Sequence, residues 1–88
     1  LDRNLLEAVK RGAAAAAVAF LARGADPDTA DASGGTALIW AVAMGDGDSV
    51  DILLKAGANQ NLADAKGMSA LKLAEDKGRT EIAALLRG

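Results

Sequence analysis

At 88 residues and 8.8 kDa the chain has room for one domain, and so short a chain buries only about 60% of its unfolded surface, which argues against a deep substrate cavity. It contains neither His nor Cys, which removes thiolate and imidazole metal sites, cysteine nucleophiles and Ser-His-Asp triads. A net charge of -2, a pI near 4.9 and a near absence of aromatics give neither a field for phosphate backbones nor platforms for stacked bases, so no nucleic acid partner is expected.

Leu5-Leu6-Glu7-Ala8 lies in a first helical stretch that closes at Gly12. The apolar run Ala13 to Ala22 follows; it is mostly alanine, which favours helix strongly but contributes little transfer free energy when buried. It falls well short of the roughly 20 residues of a membrane helix and lies internally with no cleavage pattern, so neither a span nor a signal peptide is expected. With 22 alanines the chain suits small helices pressed close together. Gly24-Ala25-Asp26-Pro27-Asp28-Thr29-Ala30-Asp31 is a string of small and turn-forming residues, predicted to make a connecting loop or hairpin. Thr36 precedes the next helical pattern with a hydroxyl suited to accept from an orphan backbone N–H, an N-cap signal. About two turns later Gly45 can close that helix in the left-handed conformation and reverse the chain into a second one. Val50, Ile52, Leu53 and Leu54 form the apolar stripe of that second helix, which Gly57 ends. The loop string then returns as Gly57-Ala58-Asn59-Gln60-Asn61-Leu62-Ala63-Asp64. Ser69 takes the N-cap place of Thr36, Gly78 the place of Gly45, and Ile82, Leu85 and Leu86 the last stripe.

This recurrence has one period: Leu5, Leu38 and Leu71 lie 33 apart, as do Ala8, Ala41 and Ala74, and Gly12, Gly45 and Gly78. A unit of helix, turn, helix and loop cannot bury its apolar face alone, so neighbours must stack into a solenoid. In these motifs the chain resembles the ankyrin repeat family, whose pattern is D-x-x-G-x-T-P-L-H-x-A, a helix-ending Gly, V-x-x-L-L and G-A-D-x-N. Here the pattern is carried by Asp31 to Ala41, Gly45, Val50 to Leu54 and Gly57 to Asn61. The resemblance implies an all-α ankyrin repeat solenoid of stacked helix-turn-helix units joined by hairpin-like loops. It divides a single domain, 1–88, into an N-terminal cap-like repeat (1–30), a full repeat (31–63) and a C-terminal cap-like repeat (64–88), ends that favour a complete small domain. Glu7, Lys72, Glu75 and Arg87 are expected on solvated cap surfaces. Two departures bear on stability rather than on the fold. Thr36-Ala37-Leu38-Ile39 and Ser69-Ala70-Leu71-Lys72 lack the family's proline and its loop-tying histidine, so rigidity between repeats is expected to suffer. Ala13 to Ala17 stand where the family has polar and larger apolar residues.

Gly45-Asp46-Gly47-Asp48-Ser49 sets two acids beside glycines, as calcium loops do, but lacks the ligand series and its terminal glutamate; a turn between helices and no metal are expected. Asp26 and Asp28, with Asn59 and Asn61 one period on, are turn residues rather than a catalytic carboxylate pair. No phosphate-binding glycine motif occurs, and no cofactor is expected. Trp40 is expected between stacked first helices, because Leu73 takes its place one period later; a binding hot spot is the alternative.

Recognition is what remains. The resemblance implies a non-enzymatic protein–protein interaction module whose protein or peptide partner lies across a concave face of loop tips and first helices. Carried over position by position, that face comprises Ala32, Ser33, Gly35, Ala65, Lys66 and Met68 in the loops, with Lys10, Arg11, Ala43, Met44, Asp76 and Lys77 on the helices. Met44 and Met68 are the expected apolar anchors. Lys10, Arg11, Lys66 and Lys77 make a mildly basic strip suited to an acidic or mixed apolar and acidic partner surface. Three units offer less area than the roughly 800 Å² per partner of a standard interface, which points to weak binding by a lone copy. The alternative is a structural or self-associating minimal scaffold, a dimer or stack joined through the Ala13 to Ala17 helix. With no membrane segment in the chain, a cytoplasmic location is expected.

Overall fold

The hydroxyls of Thr36 and Ser69 fix where two of the helices start. In the computed structural model, which describes residues 1–88, Thr36 Oγ1 accepts from the Ile39 N–H at 3.1 Å and Ser69 Oγ from the Lys72 N–H at 3.4 Å. Each thereby satisfies one backbone donor that has no intrahelical partner. Six helices result: α1 (Asp2–Lys10), α2 (Ala14–Ala22), α3 (Ala37–Met44), α4 (Gly47–Lys55), α5 (Ala70–Asp76) and α6 (Thr80–Arg87). Asp46 starts α4 in the same way, Oδ1 accepting from the Ser49 N–H at 3.2 Å and Oδ2 from the Ser49 hydroxyl at 2.8 Å. Both oxygens of the acid that resembled a calcium ligand are thus used to cap a helix. No strand forms; the loops before α3 and α5 each close on one antiparallel bridge, Ala30 with Thr36 and Ala63 with Ser69. Asp26 and Asn59 make the turns expected of them, Oδ1 accepting from the Asp28 and Asn61 N–H groups respectively.

Consecutive helices pair as α1 with α2, α3 with α4 and α5 with α6. The pairs stack so that α1, α3 and α5 form one layer and α2, α4 and α6 a second, which is the all-α repeat architecture the period implies. Leu5 and Val9 of α1, Leu38 and Val42 of α3, and Val50 and Leu53 of α4 are withdrawn from water between the layers. Ala8, Ala41 and Ala74 are also buried, and their small side chains let the helices approach closely. α2 contributes only Ala17 to the fully buried set, with Phe20 and Leu21 half-buried beside it. The last stripe differs from expectation: α6 buries Ile82, Ala83 and Leu86, while Leu85 is 42% exposed. Positions 82, 83 and 86 share one side of a 3.6-residue helix and 85 lies off it.

Neighbouring units are tied through their loops and helix ends. The Ala65 N–H donates to the Ser33 carbonyl at 2.9 Å, and the Asn59 N–H to Asp28 Oδ1 at 2.6 Å. Where the family has its loop-tying histidine, Ile39 is buried in the core, so here main-chain and carboxylate bonds join the two loops. At the other end of the helices Arg79 Nη2 donates to the Ala43 carbonyl at 3.1 Å, satisfying a C-terminal acceptor of α3 from the next unit. Its guanidinium lies against Gly45, whose φ of 71° turns the chain and whose missing Cβ would stand 2.7 Å from Arg79 Nη1. On the last pair Glu75 and Arg87 form an ion pair between α5 and α6. None of the six helices is long and apolar enough to cross a membrane.

Candidate protein-binding face

Asp31 organises the loop that leads into α3. Its Oδ1 accepts from the Ser33 N–H at 3.0 Å, the Ser33 hydroxyl at 2.6 Å and the Gly35 N–H at 3.0 Å. Its Oδ2 accepts from the Trp40 indole Nε1–H at 2.9 Å and stands 3.4 Å from Lys10 Nζ. Lys10 in turn lies over the Trp40 ring, 4.7 Å from its centre, in cation–π range. The Ser33 hydroxyl, with Trp40, Gly35 and Lys10, holds the Asp31 carboxyl well below the usual carboxylate range against the opposing effect of partial burial. A carboxylate, an ammonium and an indole from two adjacent units are thereby fastened together.

One period later Asp64 repeats half of this arrangement. Its Oδ1 accepts from the Lys66 N–H at 2.9 Å and the Met68 N–H at 3.0 Å, so the loop turn is the same. Its second oxygen has no partner in the chain, because Ala43 and Leu73 occupy the positions equivalent to Lys10 and Trp40. A notch of about 170 Å³ opens there, lined by Ser33, Gly35, Ile39, Trp40, Ala43, Asp64 and Leu73. A second, larger groove of about 390 Å³ runs between α1 and the loop before α3, with Arg3, Glu7, Lys10 and Ala32 on its walls.

The residues expected on the binding face are placed unevenly. Ala32, Ser33, Ala65 and Lys66 are exposed at the loop tips, and Met68 is half-buried beside them. Arg11, Met44, Asp76 and Lys77 are exposed at the C-terminal ends of the first helices or just beyond them. Met44 is 43% exposed and reaches back toward Gly12, whereas Met68 precedes the start of α5. The two thioethers therefore stand at opposite ends of the first-helix layer, roughly 10 Å apart along the axis at 1.5 Å rise per residue. Lys10 is engaged by Asp31 and Trp40 and is not a free cation. Gly35 is buried, because the Asp31 turn tucks it under the indole; a Cβ there would stand 2.9 Å from Trp40 Nε1. Ala43 is half-buried in the notch wall.

Residues 5–88 match the family model for ankyrin repeats in three copies. The chain belongs to the ankyrin repeat family. Comparison with curated proteins finds none that matches. Ankyrin repeats generally serve as protein–protein interaction modules and are generally not enzymes, which directs attention to the loop-and-helix face of this ankyrin chain. The residues expected on that face from the sequence do not include Asp31, Asp64 or Leu73, and Trp40 enters only as an alternative hot spot. Trp40 packs on the core as expected, yet its indole edge turns outward to the loop. The available signal was that an indole N–H needs an acceptor, and the loop acid nine residues earlier is the one its own repeat supplies.

Proposed function

We propose that this ankyrin chain is a non-enzymatic binding module in which the loops at 31–35 and 64–68 and the ends of the first helices form a concave surface for a protein or peptide. In this reading residues 1–30, 31–63 and 64–88 act as cap, full repeat and cap of one domain. The bond from the Ala65 N–H to the Ser33 carbonyl, 2.9 Å, carries the proposal. It holds the exposed tips Ala32, Ala65 and Lys66 in fixed relation before a partner arrives, so little conformational entropy is lost on docking. With Lys10 engaged, the free cations of the face are Arg11, Lys66 and Lys77, which favour a partner of mixed apolar and acidic character. Being solvated, they act on association rate more than on affinity. Peptides selected against the chain from a displayed library provide the test. Lys66→Glu combined with Met68→Asp is expected to weaken the selected peptides about tenfold or more while leaving helical circular dichroism unchanged. Unaltered affinity in that double variant defeats the assignment of the face.

A second reading is favoured by α2. Ala15, Val18, Ala19 and Ala22 are exposed there, with Val18 at 47%, where α4 carries Asp48, Asp51, Ile52 and Lys55 one period later. In α4 Asp51 and Lys55 pair at 2.9 Å on the surface; α2 offers bare apolar side chains in their place. Such a face would serve self-association into a dimer or stack.

A further inference from the structure

We infer that the notch beside Asp64 is a subsite for one lysine side chain of the partner, the ammonium resting on the free Asp64 oxygen and the methylene stem lying against Trp40 and Leu73. The inference rests on the concave-face reading and names one residue the partner must bring. The chain contains its own template for this contact. In the first register Lys10 supplies the cation, 3.4 Å from Asp31 Oδ2 and 4.7 Å from the centre of the Trp40 ring. In the next register the carboxylate recurs as Asp64, oriented by the same kind of loop bonds through Oδ1, but the lysine position holds Ala43 and the tryptophan position holds Leu73. Neither can donate to a carboxylate, so the arrangement lacks its cation.

What the two shorter side chains vacate is the notch of about 170 Å³, a volume suited to a single long side chain. Its walls at Ile39, Trp40, Ala43 and Leu73 are apolar, and Asp64 is the one charged group that lines it. Apolar walls ending at a lone carboxylate select a side chain with an apolar stem and a positive head. Lysine fits better than arginine because its compact ammonium can repeat the position of Lys10, whereas a guanidinium needs room for a planar fork. Glutamate and aspartate are rejected by the Asp64 charge, so the acidic groups of a mixed partner must fall outward, toward Lys66 and Lys77.

Nα-acetyl-lysine methylamide and its norleucine analogue, titrated into the isotope-labelled chain and followed by nuclear magnetic resonance, test the subsite. The lysine probe is expected to move the Trp40 indole and the Asp64 and Leu73 amide signals, with millimolar affinity about threefold to fivefold tighter than norleucine. Asp64→Asn, which keeps the Oδ1 acceptor for the loop amides, should erase that preference. Ala43→Lys should fill the notch from within and block the probe, which keeps the subsite testable if Asp64→Asn disturbs the loop. Equal response to both probes, a preference that survives Asp64→Asn, or no shift at tens of millimolar overturns the lysine subsite. The wider reading is judged separately: selected peptides that lose affinity on Lys66→Glu with Met68→Asp, yet lack lysine and ignore Asp64→Asn, leave the face standing and remove the subsite.

Discussion

Asp31 uses its two oxygens for different purposes. Oδ1 shapes its own loop through Ser33 and Gly35, while Oδ2 reaches Trp40 and the Lys10 of the preceding unit. Asp31→Asn separates them, because the amide keeps an acceptor for the loop but turns a second donor group toward the indole N–H and the ammonium. The expected result is a melting temperature lower by roughly 5 °C at neutral pH, a shift typical of one lost contact in a domain of this size. The dependence on pH has a definite sign. The folded carboxyl titrates well below its ordinary value, so its contribution is complete above about pH 4 and is lost as the pH falls further and the folded carboxyl protonates. The gap in melting temperature between the parent chain and Asp31→Asn should therefore be wide at pH 7 and narrow below pH 4. A gap that stays constant on acidification would show that the Oδ2 contacts do not depend on the carboxylate charge.

The helices differ most at their first residues. Asp46 caps α4 with both oxygens, whereas the N-cap of α2 one period earlier is Ala13, which has no side-chain acceptor to cap with. The two residues have closely similar backbones, φ -91° and ψ 73° at Ala13 against φ -90° and ψ 88° at Asp46, so an aspartate fits without strain. Ala13→Asp is expected to stabilise the chain by about 1 kcal/mol, by capping a free amide and placing negative charge at a helix N-terminus; thermal melts of the two proteins compare them directly. No gain would mean that α2 is held by packing alone. Why some of these features could be read in the sequence follows from their range. Thr36, Ser69 and Gly45 act on residues three or four positions away, so a local pattern reveals them. Asp46 also acts locally, but with its flanking glycines and second acid the segment reads as a turn between helices, and which residue caps the second helix is not marked. The notch was hidden for another reason: it arises from what Ala43 and Leu73 lack relative to Lys10 and Trp40, a comparison across repeats with no pattern in any single segment. Leu85 is exposed because helical phase rather than hydrophobicity selects the buried side, and phase puts Ala83 inside.

Across the whole molecule, three pairs of helices share one continuous core, and the middle pair touches both others. Units coupled in this way should melt as one, since neither outer pair can cover its apolar side without α3 and α4. The uncapped helix α2 also carries the bare face of Ala15, Val18, Ala19 and Ala22, which a partner on the loops leaves uncovered and self-association would bury. If the three units suffice and the bare face stays in water, the chain is a monomer, and its single cooperative transition keeps the same midpoint over a hundredfold or so range of concentration. That is the expected result of sedimentation equilibrium combined with melting at several concentrations. A midpoint that climbs with concentration would instead mean that association through the bare face contributes to stability. Val18→Asp with Ala22→Lys then locates the contact, because it writes onto α2 the surface ion pair that α4 already carries at Asp51 and Lys55. Loss of the concentration dependence in that variant assigns the association to α2, whereas its persistence moves the contact to another exposed apolar residue such as Leu85 or Met44.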